Sequence, residues 1–314
     1  MNRRFYPCWR KLWLALTVLL WAWRALSQDA TPTRETLNLV PFSATEIVAV
    51  ERIEHNILHR PIELTEDNNH WIDRAYAYGD TRLNSRPVHL GVEFVNERNT
   101  VVYAAKAGRV VFAGDDSKTM LGPQLDYYGN VVVLAHNLYS LAGRQLFTLY
   151  GHLEKIHVRT GQVVGDQSRL GWVGSTGVAL GPHLHFEVRV SDPFDYRQTR
   201  NPELWLQHYL EHGMIVGSLR NQDGDPIAGK RLTVRSTSTL GSRDVFTYGG
   251  EAVNSDPVWG ENFVAGDLLA DEYEIVVLDE NDALAYRERV QVEAYRTTFV
   301  DIVLADGNVR TIEK

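Results

Sequence analysis

The chain has 314 residues, 44% of them hydrophobic and 23% charged, a globular composition long enough for about two domains. Its formal net charge of −8 is unevenly spread: residues 1–27 hold Arg3, Arg4, Arg10, Lys11 and Arg24 and no acid, so without those five cations the balance becomes −13. Phosphate backbones require clustered Lys and Arg, so nucleic acid is excluded as an expected partner.

The opening segment, MNRRFYPCWRKLWLALTVLLWAWRALSQDA, joins a basic head to an apolar run from Leu12 to Trp23 and a small-x-small site at Ala25–Ser27. This is the layout of a secretory signal peptide over 1–27, and the apolar run is short for a bilayer span. The mature chain is expected to begin near Gln28, outside the cytoplasm, with no stable membrane insertion after cleavage. A retained anchor is the competing reading. Cys8, the single cysteine, lies in this segment. The mature chain then has no thiol, which excludes disulfides and cysteine catalysis and leaves His, Asp and Glu as the available metal ligands.

Residues 28–75 form an N-terminal extension of mixed character. Within ATEIVAVERIEHNI (45–58), Ile47, Val50 and Ile57 recur near helical period, which predicts a helix. HNILH (55–59) sets two histidines four apart, but Asn56 stands where a zinc-protease helix would carry glutamate. His55 and His59 are therefore read as solvated.

From Pro87 to about Arg189 the chain reads as successive strands. TVVYAAKAGRVVFAG, NVVVLAH, LFTLYGHL, VVGDQSRLGWVGSTG and HLHFEVRV are Val-rich or aromatic runs separated by glycine turns. With no helices between them, they predict an antiparallel β-sandwich or partly open barrel. A Pro-containing loop and a short helical segment follow at 191–213. Residues 214–314 alternate again around turn-rich stretches, which predicts an immunoglobulin-like or transthyretin-like sandwich. That region holds neither histidine nor cysteine and is assigned to spacing or adhesion.

GPHLHFEVRV (181–190) carries the chemistry. In a strand, residues i and i+2 share a face about 6.5 Å apart, so His183 and His185 look out together while Leu184 and Phe186 face the other way. Two imidazoles fill a core poorly, but they can place one nitrogen on a metal and another beside a water. Catalytic zinc takes three protein ligands and leaves one position open. Upstream, PVHLGVEF offers His89 and Glu93, and TLYGHLEKI offers His152. Of the remaining histidines, His136 reads as satisfied at a strand end, and His157, His208 and His212 have no partner spacing. The glycines of GWVGSTGVALG lack the lysine and helix of a phosphate loop and read as turns, with Trp172 as core.

Taken together, HLGVEF, LYGHL, GQVVGDQSRLGWVGSTG and GPHLHFEV resemble the LytM/lysostaphin-type zinc endopeptidases, which cut bacterial peptidoglycan cross-links. The resemblance covers roughly residues 76–205. It implies His89, Glu93 and His185 as zinc ligands and His152 and His183 as the pair that handles protons. Glu93 departs from the family, which usually has aspartate there; zinc accepts either carboxylate. Some members also use a tyrosine upstream of the first ligand, and Tyr76 and Tyr78 lie in that region. The implied protein is a secreted or periplasmic envelope peptidase with domains at 76–205 and 214–314, joined by a linker at 206–213. The competing function is a non-catalytic wall-binding or hydrolase-activating relative with an impaired metal site. A lipoyl or biotin carrier would need a lysine at a hairpin tip, which is missing here.

Overall fold

The computed structural model describes residues 48–49, 55–81, 85–139, 143–250, 252–305 and 308–310; the signal-like segment lies outside them. The first half contributes strands β1 (Val48–Ala49), β2 (Val92–Val95), β3 (Val101–Tyr103), β4 (Gly108–Asp115), β5 (Asn130–Tyr139), β6 (Gln145–Gly151), β7 (Leu153–Ile156), β8 (Val163–Val164), β9 (Arg169–Val173), β10 (His183–Val190) and β11 (Thr199–Arg200). The second half adds β12 (His212–Arg220), β13 (Arg231–Ser236), β14 (Ser242–Phe246), β15 (Phe263–Leu269), β16 (Asp271–Leu278), β17 (Leu284–Val292), β18 (Thr297–Ala305) and β19 (Asn308–Arg310). The fold is all-β, as the alternating runs predict.

The main sheet runs β11–β10–β6–β5–β4–β8, with β2 also on β10 and β1 on β5; β3, β9 and β7 form a small second sheet. The main sheet is antiparallel except where β1 meets β5. Both of its faces are covered. Leu184, Phe186 and Val188 of β10 join Leu134 of β5 and Tyr150 of β6 in one core. Val131, Val133, Phe147 and Leu149 pack into another on the opposite face. That second face also carries the polar side chains of β10, so they enter a buried environment.

The second half forms two four-stranded sheets, β15–β12–β18–β19 and β14–β13–β16–β17, around a core containing Ile215, Leu232, Phe263, Ile275 and Tyr286. The two halves also share a core, because Met214, Val216, Tyr248 and Val264 pack with Trp205, Leu204 and Phe186. A buried ion network reinforces the joint: Asp267 of β15 meets Arg60 and Arg74, and Arg74 also meets Glu203.

Two local expectations are corrected. The helix predicted over 45–58 is not found among the described residues: Val48–Ala49 is a strand, and Leu58 bridges Leu206. Leu58 N–H donates to the Trp205 carbonyl, so pairing with a distant segment overrides helical periodicity. His55 is buried rather than solvated. It lies between Trp205 and Trp259, each ring centroid 4.1 Å away, with Nε2 3.0 Å from Asp256 Oδ2. His59 is half-buried, its Nε2 3.7 Å from Asp166 Oδ2. The helical segment expected within 191–213 consists of two single 3-10 turns, Tyr196–Gln198 and Pro202–Leu204, capped by the Asp195 and Asn201 side chains. No helix among the described residues is long and apolar enough to cross a membrane.

The ion network supplies a test of the joint between the halves. Asp267→Asn keeps a residue suited to the local φ of 53° but leaves Arg60 and Arg74 without that carboxylate. Removing one partner of a buried ion group costs on the order of 3 kcal/mol. Denaturant unfolding of the variant is expected to show a loss of that size.

Candidate active site

Strand β10 assembles the site through its register. His185 lies opposite Glu93 of β2 on one side and Gly151 of β6 on the other, and His183 lies opposite Val95. Directly opposed residues share a face, so Glu93 rises beside both histidines. The tight approach of the preceding segment depends on Gly91, where a Cβ would fall 2.5 Å from the Phe186 carbonyl oxygen and 2.8 Å from His185 Nε2. His89 is held by main-chain pairing with residues 79 and 80, and its ring stacks on Tyr76 at 4.1 Å with planes 6° apart.

His152 reaches the site differently. Gly151 shares the face of His185, so in a regular strand the next residue would point away. At His152, however, φ is +61°, and this left-handed turn breaks the alternation. The ring arrives 4.8 Å from that of His183 and 5.6 Å from that of His185. A second backbone constraint supports it. Gly129 and Gly177, both at positive φ, pass so closely that a Cβ on either would lie 2.5 Å from the other's nitrogen. His152 is tied to both loops, donating its backbone N–H to the Tyr128 carbonyl and its Nδ1–H to the Thr176 carbonyl.

All five residues singled out in the sequence therefore lie together. His89, Glu93 and His185 each offer a ligand atom, and these atoms lie within 4.8 Å of one another. Glu93 Oε1 is 3.7 Å from His89 Nε2 and 3.5 Å from His183 Nε2.

The outer hydrogen bonds decide where the ring protons sit. Nδ1 of His89, His152 and His183 faces the carbonyls of Tyr76, Thr176 and Gly181 at 2.7, 2.8 and 3.0 Å. A carbonyl only accepts, so each Nδ1 carries the proton and each Nε2 is left as a lone pair. His185 is turned the other way: Nε2 donates to Glu187 Oε1 at 3.0 Å, and Nδ1 faces inward, 3.3 Å from His89 Nε2. Two nitrogen lone pairs thus point at each other in a buried site beside a carboxylate. That arrangement calls for a cation between them.

Burial favours the neutral form of His89, His152 and His183. It pushes His89 well below its ordinary value, with His185 adding to the effect, and it also lowers His183. His152 is brought down to about 3 by burial and then by His185 and His183. His183 Nε2 is buried without a hydrogen-bond partner.

Three residues not singled out in the sequence complete the surroundings. Glu187 and Arg189 continue the polar face of β10, fully buried, and Tyr128 bonds to both. Burial alone would raise the Glu187 carboxyl, but Arg189 and then His185 outweigh it and hold it at about 2. The signal was present in the sequence: His-x-His-x-Glu-x-Arg is one unbroken i+2 series. Segment 69–76, from the N-terminal extension, also runs along β2, with Asp73 N–H donating to the Glu93 carbonyl. The remaining histidines stand apart. His136 is buried with Nε2 on Thr148 and Nδ1 on the Ala107 carbonyl, and His157 lies against the half-buried Trp172.

The model of Peptidase family M23 matches residues 87–201, which span β2 to β11. Over these residues the chain is similar to M23 peptidases. Peptidoglycan DD-endopeptidase ShyB of Vibrio cholerae is 34% identical over 124 residues, covering 39% of this chain and 28% of that protein. Lysostaphin of Staphylococcus simulans is 31% identical over 146 residues, covering 45% of this chain and 27% of that protein. The chain thus spans less than a third of the length of these relatives. The solved catalytic domain of that lysostaphin is 32% identical, covers 40% of this chain and 86% of its own, and superposes with a TM-score of 0.34.

The lowered histidines predict the pH dependence of stability in the metal-free protein. His136, at about 4 through burial, and His152, at about 3, bind protons more weakly folded than unfolded. Their contribution is fully present above about pH 6.5. It is lost as pH falls toward those values, because the unfolded chain holds the extra protons. The slope approaches about 1.4 kcal/mol per pH unit for each ring. Denaturant midpoints between pH 7 and 4, measured with chelator, are expected to fall accordingly.

Proposed function

We propose that the chain is a secreted or envelope zinc endopeptidase that hydrolyses peptide bonds in bacterial peptidoglycan cross-links. The observation that carries this reading is the pair of inward lone pairs, His89 Nε2 and His185 Nδ1, 3.3 Å apart beside Glu93. In this reading His89, Glu93 and His185 hold the zinc. Two neutral imidazoles and one carboxylate are a suitable donor set for a catalytic zinc. When bound, the ion would polarise the scissile carbonyl and acidify a water.

His152 and His183 supply the proton chemistry. Each is neutral, oriented by a backbone carbonyl at Nδ1 and basic at Nε2. Either can take a proton from the attacking water at Nε2, and the imidazolium so formed can then hydrogen-bond the developing oxyanion and return that proton to the leaving amine. The longer arm of Glu93 is accommodated by its position opposite His185, which keeps its carboxylate among the histidines. The same reading assigns 76–205 to the peptidase domain and 214–314 to a sandwich that extends or anchors it, with peptidoglycan peptide as the substrate. The names of the relatives support that substrate class.

The test joins metal content to hydrolysis on the purified mature protein, with peptidoglycan as substrate and released muropeptides as readout. Wild type is expected to carry zinc and release cross-link fragments. His185→Ala and Glu93→Gln are expected to lose metal, with Glu93→Asp milder. His152→Ala and His183→Ala are expected to keep metal and lose about 10²- to 10⁴-fold in turnover. A wild-type protein that binds peptidoglycan without zinc and without product would instead be a wall-binding module.

A further inference from the structure

The polar face of β10 does not end at the histidines. Arg189 Nε donates to Glu187 Oε2 at 2.7 Å, Nη1 to the Pro193 carbonyl at 2.9 Å, and Nη2 to the Leu121 carbonyl at 2.9 Å and to Tyr128 Oη at 3.1 Å. Guanidinium only donates, so the direction of every bond beyond it follows. Tyr128 accepts from Arg189 and must direct its own proton to Glu187 Oε1. Glu187 Oε1 then accepts from His185 Nε2 as well. The proton of His185 is therefore confined to Nε2, and Nδ1 stays bare toward His89 and Glu93.

We infer that Glu187, oriented by Arg189 and Tyr128, is a positioning residue that locks the tautomer of His185 and so keeps its Nδ1 available to a cation. The inference rests on the metal-centre reading above. It also explains why a carboxylate and a guanidinium occupy fully buried positions on a strand where apolar residues would pack more simply. The lock ties the centre to the loops holding Leu121 and Pro193, through one side chain with no freedom to reverse its bonds.

The chemistry yields a specific consequence for Glu187→Gln, which is isosteric but not conservative here. Arg189 Nε still needs an oxygen, so, with the Tyr128 hydroxyl turning from donor to acceptor, the amide NH2 takes the place of Oε1. It then donates toward His185 Nε2, which must become the lone pair, and the ring proton moves to Nδ1. In the double variant Glu187→Gln/Arg189→Met that demand is gone. The amide can turn over and present its oxygen to His185.

The experiment uses histidine-¹⁵N spectra of the metal-free protein to read the tautomer, and competition with a chromogenic chelator to read zinc affinity. Wild type is expected to show the Nε2–H form of His185. Glu187→Gln is expected to show the Nδ1–H form, with zinc held about ten- to a hundredfold more weakly, and the double variant to recover part of that loss. A wild-type Nδ1–H tautomer overturns the inference without any variant having to fold. Unchanged affinity in Glu187→Gln, or a double variant weaker than the single one, overturns it too. A wild type with the Nε2–H tautomer that binds no zinc would count against the metal centre and leave the lock standing.

Discussion

The structure depends on the two-residue period of one buried strand. Strand β10 lies between β2 and β6, with Leu184, Phe186 and Val188 in one core and His183, His185, Glu187 and Arg189 on the opposite face. Because that opposite face is also covered, four polar side chains are taken out of water together. A buried polar group without a partner is costly, so each must find one. The outcome is an ordered chain of hydrogen bonds that starts at a donor-only guanidinium and ends at two imidazole nitrogens with nothing to accept from.

That ending turns a packing problem into chemistry. Away from the site, His136 bonds at both nitrogens, and His55 sits between two tryptophans with Nε2 on Asp256. At the site the outer nitrogens are satisfied by carbonyls or by Glu187, while the inner ones converge on Glu93. Beside the Glu93 carboxylate, an inserted cation is the natural complement to those lone pairs. Rigidity is provided by the backbone, through Gly91, the Gly129–Gly177 crossing and the left-handed His152.

The second half of the chain is more than an appendage on a flexible tether. Its first strand, β15 and the loop between β14 and β15 contribute side chains to the core of the first half, and Asp267 gathers two arginines from the segment preceding β2. That same segment runs alongside Glu93. Residues 55–76 are therefore clamped between the two halves and also border the site, which gives the N-terminal extension a structural role that its mixed composition does not reveal.

What the sequence determined by itself was local and periodic. Alternation and glycine turns dictate strands, and the spacing His-x-His puts two imidazoles on one face, because the period of a strand is intrinsic to the backbone. The joint presence of HLGVEF, LYGHL and GPHLHFEV pointed to five residues that the fold brings within one site. Among the described residues, the helix expected over 45–58 and the solvated His55 were not borne out, because periodicity says nothing about pairing with Trp205 and Asp256, roughly 150 and 200 residues away. Register and burial were also decided only in three dimensions. Glu93 opposite His185, the break in alternation at His152, and the burial of Glu187 and Arg189 all follow from which strand lies beside which. Ring protons were settled last, since a tautomer is set by the acceptor that the folded chain delivers to the far nitrogen.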